Sequence, residues 1–368
     1  TTVNSARANR WAALMLKARA AIYAGSLANY NNKMPSPIRT AGGEVGIPAD
    51  RATGYYNQAM AAAKEVIDNS PYELQLNKPD DLERNFYEAV SVKTNNKEVI
   101  WARDHGYPGI GQQVGFTTIN IPGSHAEDID RAYLGVLLNL VEAFEYTDNR
   151  NGAIRIQDAQ GNYVFYDNPS DAFAKKDARL GGTVIVPNSG FKGIPVELQA
   201  GHKVWSNGIW QTITSEPGSR DAAGRVITSV NGPNRSIEQY INKTGFFVRK
   251  FLDETPGAST RGRNSDMWFP RFRFAEAVLI AAEAAMELGQ GAVAVGYINQ
   301  VRARAGIQPL TTVTLNDIVQ ERRVEFAFED HRYWDLKRFR LAHIVWNGVV
   351  NSPNAQHFAL FPYRVVAP

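Results

Sequence analysis

A small set of side chains in this sequence is suited to holding a sugar. Trp205 and Trp210, in the stretch AGHKVWSNGIWQT, flank Asn207. His105 and Tyr107 lie in a Gly-rich loop, and Trp101 and Arg103 end the segment Glu98-Val99-Ile100-Trp101-Ala102-Arg103. A sugar ring has an apolar face of C–H bonds and a rim of hydroxyls. Indole and phenol rings cover the face, and Asn, Arg and His bond the rim. Stacking area would supply affinity, and hydroxyl contacts would supply specificity. Each ring taken alone is explained by packing. As a set in polar loops, ligand contact and packing stand as equal readings.

Other chemistries fit less well. Phosphate loops, dinucleotide fingerprints, zinc motifs and nucleophile elbows are absent, and nothing predicts a cofactor or a metal. His125 beside Glu127 and Asp128 suggests a solvated acidic turn before it suggests a hard-metal cluster. Asp128 and Asp130 could be named as a glycosidase pair. Such carboxylates, however, face each other across a sugar from separate elements, ~5–9.5 Å apart. With no cysteine in the sequence, disulfides and thiolate metal sites are excluded. A net charge of +3 over 368 residues, with no Lys/Arg-rich run, makes no case for nucleic acid.

The elements that would position these groups are mostly helices. Ser5–Gly25 and Thr53–Asn69 carry apolar stripes at three- and four-residue steps. So do Phe274–Leu288, ended by Gly289, and Ala292–Ala305, ended by Gly306 and Pro309. A third C-terminal helix starts at Thr314, where Asp317 has capping-box spacing, and runs through Leu336. Arg322, Glu325, Glu329 and Arg332 recur along it, either as a solvated face or as a partly buried ion-pair network. Ala13–Gly25 aligns with Ala277–Gly289 without a gap, and each is followed by a second amphipathic helix. Stacked helix pairs of the tetratricopeptide type follow from this weak repeat. Tyr133–Phe144 reads as helix, and 183–186 and 245–251 as strands. Gly, Pro, Asn and Ser punctuate 150–265, where Tyr163, Tyr166 and Trp268 add aromatic surface. No apolar run approaches the ~20 residues that span a bilayer.

Four ordered C-terminal segments resemble the SusD/RagB family of outer-membrane nutrient-binding lipoproteins of Bacteroidetes. Arg273-Phe274-Ala275-Glu276 through Glu283-Ala284 is similar to its first signature helix, and Ile298-Asn299 through Arg304-Ala305-Gly306 to its "IN-x-VR-x-RAG" helix. Glu321-Arg322-Arg323 through Glu329 is similar to its "ERR-x-ELAFE" helix, and Arg332 through Asp335-Leu336-Lys337-Arg338 to its "DLKR" close. Weaker likeness runs through Arg7-Ala8 and Asn95-Asn96, while Asp177 and Arg179 match its "D-x-R" element. That pair is a site residue with its partner or, the favoured reading, a clamp on a loop.

The resemblance implies a mainly α, SusD-like fold: a tetratricopeptide-type helix-pair scaffold with long loops and a few short strands. It implies one domain over 1–368, N-terminally incomplete, with scaffold at 1–75 and 270–345 and a loop-rich, ligand-facing region at 95–265. It also implies non-enzymatic capture of an oligosaccharide at the cell surface for a SusC-like TonB-dependent transporter. The lipid anchor to the outer membrane would lie on a segment this sequence lacks. In the family the loop aromatics that hold ligand vary in position, so the resemblance assigns none of the seven individually. Two other readings stay open: a helical scaffold that binds a protein or peptide in its concave face, and a glycan hydrolase.

Overall fold

The computed structural model describes residues 7–42, 46–106, 113–234, 236, 239–346 and 358–366. Tyr107 and Ser5 lie outside them. The chain is mainly α, with a few short strands. It packs as two compact units. One comprises Thr1–Arg103 with Phe269–Gln356, the other Asp104–Trp268 with His357–Pro368. The stretches 1–75 and 270–345 fall in the first unit, and most of 95–265 falls in the second.

The first unit is built on helices α1 (Arg10–Asn31), α2 (Ala52–Asn69), α3 (Leu82–Ser91), α4 (Phe274–Glu287), α5 (Gly291–Arg304), α6 (Leu315–Glu325) and α7 (His331–Arg338). α1 packs on α2, α2 on α4, and α4 on α5, which is the stacked-pair arrangement expected from the repeat. The Asn9 side chain caps α1 by accepting from the Ala12 N–H at 2.9 Å. α1 does not stop at Gly25 but continues to Asn31. Gly25 serves close packing instead: a Cβ there would meet the Tyr56 ring at 2.9 Å. Gly289 (φ 73°) and Gly306 (φ 71°) do take the left-handed conformation that ends a helix.

α3 was not anticipated. Its signal was present in Asp81, which caps by accepting from Arg84 N–H at 2.9 Å, and in buried Phe86, Tyr87, Ala89 and Val90. The capping box at Thr314 forms as read: Thr314 N–H donates to Asp317 at 2.8 Å, and Thr314 Oγ1 accepts from Asp317 N–H. The helix that it opens is nevertheless two helices. Phe328 and Asp330 have positive φ (64° each), which breaks the chain between α6 and α7. His331 then stacks on Phe326, 4.3 Å between ring centroids.

Buried ion pairs surround the break. Glu325 and Glu329 are buried and both reach Arg273, on the strand Phe269–Arg273 that pairs with Val99–Arg103. Arg273 also pairs with buried Glu98, and Arg304 bridges Glu98 at 2.7 Å and Glu325 at 2.5 Å. Arg322, Glu325 and Glu329 of the charged stripe are therefore interior, each paired with a residue outside the stripe and not with one another. Arg322 pairs with Asp335 at 2.9 Å, and Asp335 with Arg338, which also holds Glu283 on α4. Arg332 alone of the four is half-buried. The His331 imidazole, pushed down to about 4 by burial, is neutral at pH 7 and accepts at Nδ1 from Arg322.

α4 is buried on nearly every side, and its carboxylates recur at Glu276, Glu283 and Glu287, steps of seven and four that share one face. All three meet α1: Glu276 takes Arg19, Glu283 takes Ser26, and Glu287 takes Asn29 and Tyr30. Buried pairs of this kind constrain which neighbour docks where, because a misplaced partner leaves a charge unpaired.

The second unit holds short strands and long loops. Gly201–Ser206 is the middle strand of three, antiparallel to Ile209–Ile213 and parallel to Tyr363–Val366. Val184–Ile185 pairs with Phe247–Val248 where strands were expected. Tyr133–Phe144 is helical only at Leu138–Val141. Its first half is drawn out by backbone bonds, Tyr133 N–H to Ile119 and Val136 N–H to Phe246, which a helix could not make.

Candidate functional site

The sugar-suited residues divide between the units. Trp101 and Arg103 belong to the first. Trp101 is half-buried and stacks on Phe272 (5.7 Å, 29°), its cross-strand partner, so packing accounts for it. Arg103 is exposed at the end of that strand. His105, Trp205, Asn207 and Trp210 belong to the second unit. His105 is half-buried and donates from Nδ1 to the Met267 carbonyl at 2.6 Å.

Trp205 and Trp210 are brought together by a hairpin. Asn207 (φ 52°) and Gly208 (φ 75°) are its two-residue turn, the Asn-Gly sequence that tolerates positive φ at both positions. Asn207 is thus placed by backbone geometry as well as beside the rings. The turn sets a register in which Trp205 opposes Trp210 and Lys203 opposes Thr212, so all four side chains leave one face. The indoles meet edge-on at 5.2 Å, and Phe165 adds a third ring 6.0 Å from Trp210. Lys203 donates to Thr212 Oγ1 at 2.5 Å and lies over the Tyr363 ring. Trp205 is 49% exposed and Phe165 is 61% exposed. Large rings left in water beside hydroxyl and ammonium donors form a surface suited to stacking and hydrogen bonding.

A second aromatic surface in this unit was missed in the sequence. Tyr133 is exposed and meets Tyr240 edge-on at 6.0 Å. Arg131 lies over the Tyr240 ring, 5.7 Å from its centroid. The signal available was the alternation Ile129-Asp130-Arg131-Ala132-Tyr133, which puts Arg131 and Tyr133 two apart. The partner from residue 240 is a tertiary contact.

The acidic turn at 127–130 is a loop clamp. Glu127 accepts from the N–H groups of Gly257 (2.6 Å) and Ser259 (3.0 Å) and from the Ser259 hydroxyl. Burial pushes its carboxyl up, but these donors and Lys192 outweigh that and bring it down to about 2. Asp128 accepts from Arg261 N–H at 3.1 Å, and Asp130 pairs with the Arg261 guanidinium. Among the described residues, no cluster of three His, Asp or Glu could hold a metal ion. The linkage sign follows from the depressed carboxyl: Glu127 stabilises the fold above its ordinary value of 4.5, and that contribution is lost as pH falls towards about 2. The stability difference between the wild type and Glu127→Gln is therefore expected to be present at pH 7 and to vanish across that window, as read by urea unfolding at stepped pH. A difference independent of pH would contradict the clamp.

Asp177 and Arg179 are likewise a clamp. Both are buried, and Arg179 donates to Asp177 through Nε at 3.0 Å and Nη2 at 2.6 Å. The first unit carries a cleft of about 470 Å³ lined by residues that include Trp334, Tyr23, Arg19 and His331. Much of its polar wall is already paired, Arg19 with Glu276 and Arg338 with Glu283. No helix among the described residues is long and apolar enough to cross a membrane.

Comparison with known proteins bears on both units. The model of the SusD family matches residues 97–367. A SusD-like protein, P2, of Formosa agariphila is 38% identical over 122 residues, which is 29% of this chain and 24% of that protein. A solved SusD-like protein of Bacteroides fragilis aligns at TM-score 0.61 and 21% identity over 92% of this chain and 56% of its own. A further solved structure, with a xylogluco-oligosaccharide, aligns at TM-score 0.57 and 18% identity over 95% of this chain and 55% of its own. These likenesses show the fold. The chain spans little more than half the length of these solved relatives, and its curated match covers about a quarter of that relative.

Proposed function

This chain belongs to the SusD family, and from that premise we propose that it captures an oligosaccharide on its second unit without cleaving it. The observation that carries the reading is the exposed face made by Trp205, Trp210 and Phe165 beside Lys203 and Thr212. Two largely exposed rings, Trp205 and Phe165, with the half-buried Trp210 between them would stack on the C–H face of a sugar, and the flanking polar groups would meet its hydroxyls. A relative of the same fold was solved with a xylogluco-oligosaccharide, which supports a saccharide as the ligand class. Asp128 and Asp130 are committed to holding the Arg261 loop, which supports binding without turnover. The captured sugar would pass to a SusC-like TonB-dependent transporter at the outer membrane, with the protein held at the cell surface by a lipid anchor.

A glycan array read with the intact protein, followed by reducing-end assays on each hit, tests this. The expected result is retention of one glycan class with no release of reducing ends. Steady release would replace capture by hydrolysis, and retention of no glycan would remove the saccharide reading.

A further inference from the structure

The second aromatic surface has features that packing does not account for. Arg131 has no hydrogen-bond or ion-pair partner among the described residues; its guanidinium meets only the Tyr240 ring, while neighbouring Arg261 is matched by Asp130. The stem of Arg131 is seated across Gly123, where a Cβ would come within 3.0 Å of its Cδ, so the side chain has a built position. Tyr133 is 62% exposed, and its ring meets that of Tyr240 edge-on at 6.0 Å. The backbone is strained on both sides of the pair: Ala132 sits at φ 57° and Tyr240 at φ 59°. Positive φ is costly for a residue with a Cβ and collects where geometry serves function. The strain at Ala132 is held by its N–H bond to Ile121 and by Tyr133 N–H bonding Ile119.

We infer that Tyr133, Tyr240 and Arg131 form a subsite for an anionic saccharide unit, carrying a carboxylate or a sulfate ester, that stacks on the tyrosines and is bonded by the guanidinium. A planar guanidinium offers paired N–H donors that match either oxyanion, and the adjacent ring lowers the cost of desolvating it. Asp130 in the same loop is paired with the Arg261 guanidinium, whereas Arg131 makes no ion pair among the described residues and keeps its N–H donors available. The inference rests on the reading that this chain binds saccharide and adds to it the charge of the ligand.

An array carrying uronate-containing, sulfated and neutral oligosaccharides, read with the full chain, with Arg131→Gln and with Arg131→Lys, tests it. The wild type is expected to retain acidic sugars, and the uronate and sulfate arms identify which oxyanion is read. Arg131→Gln is expected to lose about tenfold in affinity for them, the scale of one charge-assisted hydrogen bond, with Arg131→Lys restoring part of it. The Tm of Arg131→Gln should stay close to that of the wild type, because the side chain makes no hydrogen bond or ion pair among the described residues. Hits confined to neutral sugars, or acidic binding unchanged in Arg131→Gln, overturn this subsite and leave sugar capture standing. Retention of no sugar of any class removes both.

Discussion

Arg273→Met is expected to lower the stability of the chain by about 3–5 kcal/mol, the cost of removing one partner from a buried ion cluster. Methionine fills much of the same space, so the loss is mainly electrostatic. Glu98, Glu325 and Glu329 would remain buried around the vacated position, each having lost its bond to Arg273, while Arg304 still pairs with Glu98 and Glu325. Urea unfolding reads the effect as a lowered midpoint with the slope retained. Lys97→Ala is the matched control: its pair with Glu73 is more than half exposed on both sides, and its loss should stay within about 1 kcal/mol. A loss that small for Arg273→Met would show that water reaches the cluster. The functional consequence is positional, since this cluster joins the first signature helix to the last two, and those helices make the scaffold.

Trp210→Ala is expected to weaken binding of the retained glycan about 30-fold, which corresponds to about 2 kcal/mol at a central aromatic anchor. Trp210 touches both Trp205 and Phe165, so its loss opens the middle of the surface. Trp205→Ala, at the edge and half exposed, is expected to cost less, and Trp210→Phe to keep much of the affinity. Titration calorimetry measures each against the wild type, with Tm recorded to confirm folding. Full affinity in both alanine variants would move the site off the hairpin, and the Tyr133–Tyr240 pair would then be the surface to test alone.

Local patterns in the sequence determined the scaffold. Apolar residues at three- and four-residue steps, Gly289 and Gly306 at helix ends, and the Thr314–Asp317 box all act over one or two turns, so the helices could be read without knowing the fold. The same holds for the signature residues around Arg273, Arg304, Arg322 and Arg338, whose resemblance led to the family. Tertiary structure decided what those charges do. Spacing along one expected helix put Glu325 and Glu329 on one face, but Glu329 lies in the break between α6 and α7, their partners sit on a strand and on α5, and burial makes the ambiguous stripe an interior network. It also split one expected helix in two at Phe328 and Asp330 and let α1 run past Gly25, where the Tyr56 ring packs on the glycine, since propensity is a weak guide once tertiary packing acts. The sugar-facing surfaces divide in the same way. Trp205 and Trp210 could be found because an Asn-Gly turn joins them within a few residues. Tyr133 and Tyr240 could not, because over a hundred residues separate them and only long-range packing brings their rings and Arg131 together.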